Sequence, residues 1–558
     1  MNLRPFPALW LLLAVSALLY LPATGVIPLM DRDEPRFAHA TVEMMQREEW
    51  TIPYFNGEYR FDKPPLTYWW MRLHFMLLGV NEFSARLHSV ISVTLIAWVL
   101  FAMGRRLHSS NAGLVGALAW LASMQSLVHG RLCVADMPMV LFVTLSQWAL
   151  LELLRPPDRR ERPRFSRWFW VLWLSLGLGF LAKGPVAWLA PGLGLLLWRW
   201  LFWRKALPWS RLQWRAGLIL SLAIVAAWGI PALVMTKGLF WNVGMGEHVM
   251  KRGTEAFNGR VIIPFYYVGA ALFSLMPWIA WLPDVWRRLR LDWSGHATFL
   301  VSWFVAPQLI FFFYATQLPH YVMPGFPAFF LLLGMSLATM WKTNSGRGGI
   351  FRWTYLGGLL LVSSIVMIGA GMSACGLTGD LRSLVASLGG LQLGLAIIGI
   401  ASCRRQRWLA AAALIGVSVT LSHSSVLLRR LHPVVQIQPV LRGKGEAIAW
   451  QFTEPSLVFY GDRPWKFLSK LPKVGERMKN GQADVVVCLD REWTLNHWIK
   501  SRRQGAAVSP DRDNSTTLDQ LGSVASSYTM TSISGLNLAR SSWVELRVWK
   551  RKPATLTP

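Results

Sequence analysis

Two apolar stretches separated by a basic turn set the fold class: SARLHSVISVTLIAWVLFAMG at positions 84–104 and NAGLVGALAWLASMQSLVH at 111–129. Each is close to the roughly 20 residues that a helix needs to cross about 30 Å of hydrocarbon. Arg105 and Arg106 stand between them, and short basic loops remain on the cytoplasmic side of a membrane. The pair therefore predicts a helical hairpin that crosses a membrane twice.

The same pattern recurs and predicts a mainly α-helical membrane protein with about thirteen spans. Of 558 residues, 53% are hydrophobic and 15% are charged, against about 25% charged in soluble domains. We expect the first span to remain uncleaved, although Ala23-Thr24-Gly25 also resembles a weak signal-peptide cleavage site. The predicted spans are 7–30, 84–104, 111–129, 134–154, 168–182, 184–203, 215–235, 262–283, 297–314, 323–341, 354–376, 384–403 and 408–428.

The charge pattern predicts how these spans are oriented. The net charge is +28, but the basic residues lie in short loops and not along one soluble face, which argues against a nucleic-acid partner. Loops after even-numbered spans carry the positive charge, so the N-terminus is predicted to be inside and the C-terminal segment outside. Four cysteines without paired or metal-ligand spacing argue against a disulfide framework or a cysteine zinc site.

Composition divides the chain into two predicted domains. Residues 1–428 hold the spans and a long first exported loop at 31–83, whereas residues 429–558 are polar and mixed. Strand-like runs at Ser456–Tyr460, Ala483–Leu489 and Trp543–Trp549, with a helix-like stretch at Glu492–Arg503, predict a small exported α/β domain.

The first loop carries two polar motifs. Asp31-Arg32-Asp33-Glu34-Pro35-Arg36 suits either a capped interfacial helix or a pair of carboxylates that orient an acceptor or hold a cation. In Asp62-Lys63-Pro64-Pro65, the prolines fix the backbone from which Asp62 and Lys63 project. Lys63 is therefore a candidate phosphate ligand, and a turn packed on Trp69 and Trp70 is the structural alternative.

Other polar motifs fall at exported ends of later spans. Asp136-Met137-Pro138 and Lys183-Gly184-Pro185 place opposite charges there, either as functional groups or as a simple salt bridge. Loop 236–261 contains Glu247-His248, which is either solvated or a partner of Asp62 or Glu34 in a divalent-metal site. The loop ending His320-Tyr321 adds a further polar cluster on the same face.

Together these motifs resemble a known enzyme family. Asp33-Glu34-x-Arg36, Asp62-Lys63-Pro64-Pro65-Leu66, Asp136-Met137-Pro138 and Lys183-Gly184-Pro185 occur in the order found in bacterial 4-amino-4-deoxy-L-arabinose lipid A transferases. The order is also similar to that of the wider protein-O-mannosyltransferase-like group of GT-C glycosyltransferases. The resemblance covers roughly residues 1–340 and leaves the sugar and the acceptor open.

The resemblance implies a GT-C fold of thirteen spans with a periplasmic C-terminal domain in the bacterial inner membrane. It implies Asp33 as the catalytic carboxylate with Arg36 nearby, Asp136 as the second acidic position, and Lys63 and Lys183 at the donor phosphate. It further implies a zinc ion held by Asp62 and His248, although the family usually has Glu at the position of Asp62. Glu34, Glu247 and Tyr321 are additional candidates beside this site.

The expected activity is inverting transfer of a sugar from a polyprenyl-phosphate carrier to lipid A or another envelope glycan at the periplasmic face. Fixed cations would stabilise the phosphate that leaves. No nucleotide cofactor is expected, because the sequence has no glycine-rich phosphate loop. The alternatives are a protein O-mannosyltransferase-type enzyme, a transporter or flippase for lipid-linked sugars, and a structural scaffold, which would leave the paired charges unexplained.

Overall fold

The structure is a computed structural model in which a helical bundle carries a smaller region built on a β-sheet. It describes residues 5–155, 165–202, 208–251, 263, 265–293, 295–343, 378–403, 407–443, 445–495, 497–499, 509–521 and 525–552. The first half of the chain forms helices α1 Pro5–Tyr20, α2 Asp33–Gln46, α3 Leu66–Leu78, α4 Glu82–Leu107, α5 Ser110–Leu121, α6 Met124–His129, α7 Asp136–Leu154, α8 Arg167–Lys183, α9 Val186–Leu197 and α10 Trp214–Met235. These are followed by α11 Tyr266–Ser274, α12 Leu282–Leu291, α13 Gly295–Phe312, α14 Phe326–Thr343, α15 Gly379–Cys403 and α16 Arg407–Leu431.

Many of these helices are long and apolar enough to span a membrane. Within the described ranges, seven helices meet that test by length and composition, and one bent pair would make eight. The chain is therefore a mainly helical, multi-pass membrane protein, as predicted. The predicted span at 354–376 lies outside the described residues.

Three predicted spans have a different form. Helix α1 ends at Tyr20, because Pro22 and a series of turns follow it. The stretch 111–129 is divided into α5 and α6 at Ala122-Ser123. The stretch 262–283 bends by 103° between α11 and the helical segment from Trp278, near Pro277. By contrast, α8 and α9 separate at Gly184-Pro185 as predicted.

Close packing of α5 against α14 depends on glycine. A Cβ atom on Gly334 would lie 2.2 Å from the Ala112 carbonyl oxygen and 2.8 Å from the Gly116 nitrogen. Membrane helices use small residues in this way because lipid chains supply no hydrophobic driving force between helices. These glycines allow the two backbones to approach in the centre of the bundle.

The C-terminal region contains a six-stranded mixed sheet. Its strands are β3 Glu446–Trp450, β4 Trp465–Leu468, β5 Ala483–Thr494, β6 Arg512–Asp513, β7 Tyr528–Asn537 and β8 Ser542–Arg551. The order is β4-β3-β5-β8-β7, with β6 paired to β5; β3 is parallel to both neighbours, and β8 is antiparallel to β5 and β7. The predicted strands at Ala483–Leu489 and Trp543–Trp549 are thus present.

Two predictions for this region were wrong. Ser456–Gly461 is a helix, α17, and not a strand; it buries Leu457, Val458 and Tyr460, and a short apolar run does not distinguish the two. The predicted helix from Glu492 begins too early, because β5 continues to Thr494 through its pairing with β8.

A small hairpin in the first loop, β1 Tyr54–Phe55 and β2 Glu58–Tyr59, carries a contact with the C-terminal region. Asn56 at its turn exchanges two hydrogen bonds with the Trp465 backbone, at 2.9 and 2.8 Å. Ser456 donates two hydrogen bonds to Asp31, and the Leu29 amide donates to Tyr460 Oη at 2.9 Å. The sheet region and the first loop therefore lie on the same side of the bundle.

Candidate active site

The first loop places a group of charges beside the start of α2. Asp33 begins this helix and is exposed, and Arg36 lies one turn further along. Asp33 and Asp62 both act electrostatically on Arg36 and on Arg60, which places the four side chains in one cluster. The two motifs of the first loop thus meet in space.

Asp62 is paired with a cation on each oxygen. Arg60 Nη2 lies 3.2 Å from Oδ2, and Lys63 Nζ lies 3.2 Å from Oδ1. Lys63 also donates to the Asp62 carbonyl oxygen at 2.9 Å, and Arg60 Nε donates to Tyr68 Oη at 3.0 Å. Lys63 is therefore held close to the backbone just before the diproline.

Burial and neighbouring charge change the acidity of this cluster. Burial lowers the pKa of Arg36, and the positive charge of Arg60 lowers it further. Burial raises the pKa of the Tyr68 hydroxyl to about 12, so it remains a neutral hydrogen-bond partner of Arg60. Two arginines that repel each other beside Lys63 form a site that would be stabilised by an anion.

A second group of charges lies where α6, α7, α8 and the segment before α14 meet. Lys183 donates a hydrogen bond to Asp136 Oδ1, so the predicted salt bridge between them exists. His320 Nε2 lies 3.8 Å from the same oxygen, and the His129 ring packs beside it with centroids 5.0 Å apart. The Lys183 ammonium also lies over the Tyr321 ring, 5.4 Å from its centroid.

The two groups adjoin each other. Lys63 and Lys183 both act electrostatically on the His320 ring, so the two lysines face one region from different elements. The segment Trp241–Lys251 packs against the first loop beside Asp62. A Cβ atom on Gly244 would lie 3.2 Å from the Phe61 carbonyl oxygen. Glu247 and His248 belong to this segment, but their side chains lie outside the described part of the structure.

Glu34 has a different environment from the one expected of a site residue. Its two oxygens accept hydrogen bonds from Arg86 at 2.8 and 2.7 Å, and both side chains are buried. The amides of Met30 and Cys133 also donate to it, each at 2.8 Å. These contacts make Glu34 an anchor that holds α2 to α4.

Sequence reasoning missed several residues of these clusters. Arg86 lies inside a predicted span, and a charge in such a place is by default a marker of a specific partner. His320 belongs to a polar loop that the sequence identified, and Arg60 adjoins Asp62, but only their contacts distinguish the two as site residues. His129 gave no signal of its own, because it ends an apolar helix and its importance comes from Asp136 and His320.

The fold and this site define a class of membrane protein with the GT-C fold. The structure is similar to the crystal structure of ArnT from Cupriavidus metallidurans bound to undecaprenyl phosphate, with a TM-score of 0.74 and 20% sequence identity over 96% of this chain and 97% of that one. The apo structure of the same protein gives a TM-score of 0.73. The GT-C fold implied by the resemblance is therefore confirmed.

Comparison of sequences identifies particular relatives. The chain is 30% identical over 355 residues to undecaprenyl phosphate-alpha-4-amino-4-deoxy-L-arabinose arabinosyl transferase 2 of Pseudomonas fluorescens, which is 61% of each chain. It is 28% identical over 335 residues to the arabinosyl transferase of Edwardsiella ictaluri, which is 58% of each chain. The alignments thus span about three fifths of these relatives.

A protein-family model also matches part of the sequence. The profile of the family dolichyl-phosphate-mannose-protein mannosyltransferase matches residues 62–230, which include Lys63, Asp136 and Lys183. The resemblance to aminoarabinose transferases and to the protein-O-mannosyltransferase-like group is therefore confirmed.

Proposed function

We propose that this protein is an inverting glycosyltransferase that moves a sugar from a polyprenyl-phosphate carrier to lipid A or another envelope glycan. The observation that carries the proposal is the approach of Lys63 and Lys183 to one region from two different elements, with Asp33 and Arg36 beside it. Transfer from a glycosyl phosphate leaves a phosphate dianion, and cations fixed in advance lower the barrier to its departure. The relatives are named for a donor of the same class, undecaprenyl phosphate that carries 4-amino-4-deoxy-L-arabinose.

Each site residue then has a distinct role. Lys63, Lys183 and Arg36 bind the donor phosphate, and Tyr321 lies beneath the Lys183 ammonium. Asp33 is exposed at the start of α2, where it can orient the acceptor or take its proton. Asp136 holds Lys183 in place through their hydrogen bond.

An almost wholly apolar cavity suits the lipid part of such a donor. It has a volume of about 390 Å³ and lies between the first loop, α3, α8 and α10. Its lining includes Trp50, Trp69, Leu178, Leu181 and Trp228. Because Trp69 lies in the first turn of α3, six residues after Lys63, a phosphate at Lys63 can leave its prenyl chain in this cavity and in the lipid beyond it.

The proposal includes the orientation of the chain in the membrane. Thirteen spans with the N-terminus inside would place the active site and residues 429–558 in the periplasm and residues 1–428 in the inner membrane. The alternation of basic loops supports this arrangement. The contact of the sheet region with the first loop also supports it, because both must then face the same compartment.

Protein is a second candidate acceptor. The match of residues 62–230 to a protein mannosyltransferase family favours it, because that part of the chain holds the proposed donor-phosphate lysines. The donor chemistry is the same in both cases, so the two differ in which envelope component carries the sugar.

Mass spectrometry of the envelope tests the function directly. We expect a strain without the gene to lose a sugar substituent from lipid A or another glycan, and the wild-type gene to restore it. Asp33→Asn removes the charge without changing the shape, so we expect it to lower transfer by roughly 10²-fold or more. The exposed Asp462→Asn is the matched control and should restore the sugar.

Two results would contradict the role of Asp33 or the proposed transferase activity. Normal transfer by Asp33→Asn, at wild-type levels of membrane-inserted protein, would remove Asp33 from the mechanism. An envelope whose lipids, glycans and proteins are all unchanged in the deletion strain would contradict the proposed activity.

A further inference from the structure

We propose that His129, Asp136 and His320 form a binding site for one divalent transition-metal ion of the zinc class. One ligand atom from each residue lies within 4.8 Å of those of the other two. A tetrahedral zinc ion places neighbouring ligands roughly 3.4 Å apart, so side-chain movements of about an ångström close the site. The proposal concerns binding and does not depend on the proposed transferase activity.

The distance between His320 and Asp136 fits an ion better than a direct contact. His320 Nε2 and Asp136 Oδ1 are 3.8 Å apart, which is too long for a hydrogen bond. Two metal–ligand bonds of about 2.1 Å that meet at an obtuse angle span such a distance. The set of two imidazoles and one carboxylate leaves a fourth position for water or substrate, as in catalytic zinc sites.

A second layer of hydrogen bonds is available to orient His129 as a ligand. Its Nδ1 accepts from the Gln125 side-chain amide nitrogen at 2.9 Å, and the Gln125 amide oxygen accepts from Ser274 Oγ at 2.9 Å. Ligation through Nε2 requires Nδ1–H to donate to the Gln125 oxygen. Turning that amide by 180° provides this acceptor, and Ser274 Oγ then accepts from the amide nitrogen. Metal-bound histidines are commonly oriented through their other nitrogen in this way.

Lys183 is compatible with the ion. An ionised carboxylate has two oxygens and about four lone-pair directions, so Asp136 can accept a hydrogen bond from Lys183 and bind a metal ion at the same time. Metal-bound carboxylates are usually hydrogen-bonded to a further group. An anionic ligand near Lys63 and Lys183 would offset the added positive charge.

The metal site implied by family resemblance is less well supported by this structure. Both oxygens of Asp62 already pair with cations, Arg60 and Lys63, at 3.2 Å each. A dication at Asp62 would meet two paired cations, whereas a dication at Asp136 would meet one, Lys183, on Oδ1. The environment of Asp62 therefore fits a carboxylate that positions Lys63.

Zinc binding by the full-length protein tests the proposal. The protein is purified in detergent without a polyhistidine tag and titrated with Zn²⁺ against a fluorescent chelator. We expect one ion per chain, and a loss of affinity of at least tenfold in His129→Ala and in His320→Ala. Gln125→Ala keeps all three ligands but removes the bond that orients His129, and should weaken binding by roughly 10–100-fold.

Controls separate this site from other histidines and from loss of folding. His423→Ala changes an exposed histidine on α16 and should bind as the wild type does. His129→Gln and His320→Gln replace any alanine variant that does not give folded protein by gel filtration. Cobalt substitution provides a spectroscopic readout, since its visible absorption should disappear in the His320 variants.

Three outcomes would overturn the proposal. One is the absence of stoichiometric zinc in the wild-type protein. Another is equal affinity in the wild type and in both histidine variants. The third is loss of the ion in Asp62→Asn and His248→Ala while His129→Ala and His320→Ala retain it, which would assign the metal to the other site.

Discussion

At the scale of single residues, Asp62 determines where Lys63 points. The carboxylate and the carbonyl oxygen of Asp62 both accept from the Lys63 ammonium, and Pro64 limits the backbone between Lys63 and α3. A lysine side chain normally loses about 2 kcal/mol of rotamer freedom when it becomes ordered. Because Lys63 is ordered before the donor arrives, a bound phosphate would not bear that whole cost.

The phosphate role of Lys63 gives a kinetic prediction. We expect Lys63→Ala to weaken use of the polyprenyl-phosphate donor by roughly 10–100-fold, since it removes a fixed charge from the leaving group. The measurement is transfer by purified protein in detergent over a range of donor concentrations. Lys473→Ala, an exposed lysine on the helix Leu471–Lys479, is the control. Unchanged kinetics for Lys63→Ala would refute this role.

Asp31 gives a prediction about pH. Burial, and then the Glu454 carboxylate, raises the pKa of Asp31 to about 7, whereas an aspartate in an unfolded chain titrates near 3.9. The contribution of protonated Asp31 to the free energy of unfolding is therefore complete below about pH 4 and is lost as pH rises through about 7. His432 lies 3.9 Å away, and burial lowers its pKa to about 4, so it stays neutral over the upper part of this range.

Asp31→Asn should remove this pH dependence. Asparagine can keep both hydrogen bonds to Ser456, so we expect the variant to be more stable than the wild type at pH 8 and equal to it at about pH 4. Relative to Asp31→Asn, the wild type should lose about 1 kcal/mol per pH unit between pH 4 and 7, whereas the lowered pKa of His432 affects both proteins alike. Thermal unfolding in detergent measures this, with Asp462→Asn as control. An identical pH slope in Asp31→Asn would contradict the assignment.

At the scale of elements, two kinds of contact hold helices of the bundle against each other. The Glu34–Arg86 pair fixes α2 against α4, and Arg86 also donates to backbone carbonyls of Thr24, Ile27 and Pro28 at 2.6–2.8 Å. A buried pair of this kind contributes specificity of position, because either partner alone would be left as an uncompensated buried charge. Asp33, one residue before Glu34, is positioned by the same contact.

Glycine packing is the second contact, and it gives a prediction about α5 and α14. Gly334→Ala should destabilise the protein by about 1–3 kcal/mol, because its Cβ would overlap backbone atoms of Ala112 and Gly116 that cannot move independently. The measurement is the unfolding temperature in detergent and the yield of monodisperse protein. Gly192→Ala on α9 meets no atom within 4 Å and should have little effect. Equal stability of the two variants would show that α5 and α14 can separate without cost.

At the scale of the whole molecule, the first loop and the sheet region must face one compartment. The two hydrogen bonds between Asn56 and the Trp465 backbone leave no room for a membrane between them. Arg105 and Arg106 lie at the other end of α4, a helix of 26 residues. At 1.5 Å per residue such a helix is longer than the roughly 30 Å of hydrocarbon, so we expect these arginines to face the opposite compartment.

Labelling of single introduced cysteines tests this arrangement. We expect a membrane-impermeant maleimide to label Glu58→Cys and Asp462→Cys from outside intact spheroplasts, and Arg106→Cys only after permeabilisation. The parent protein gives the background, and its Cys133 and Cys488 are buried. Labelling of Glu58→Cys and Asp462→Cys from opposite sides would be incompatible with the contact between the two regions.

Much of the fold follows from local sequence. The spans at 84–104, 134–154 and 215–235 lie within one to three residues of helices α4, α7 and α10, because apolar length and basic ends are properties of adjacent residues. The break between α8 and α9 at Gly184-Pro185 is equally local. The polar motifs of the first loop identified Asp62 and Lys63 as candidate site residues, and those at the ends of later spans identified Asp136 and Lys183.

Only the tertiary structure decided which of those groups meet and what each one does. Glu34 and Asp33 are neighbours in sequence, but one is buried against Arg86 and the other is exposed. His129 and His320 are 191 residues apart and give no common pattern, yet their rings lie side by side next to Asp136. The long apolar helices are favoured by interactions over a few residues. The pairing of buried charges depends instead on helix packing across the whole chain, which one sequence read locally does not contain.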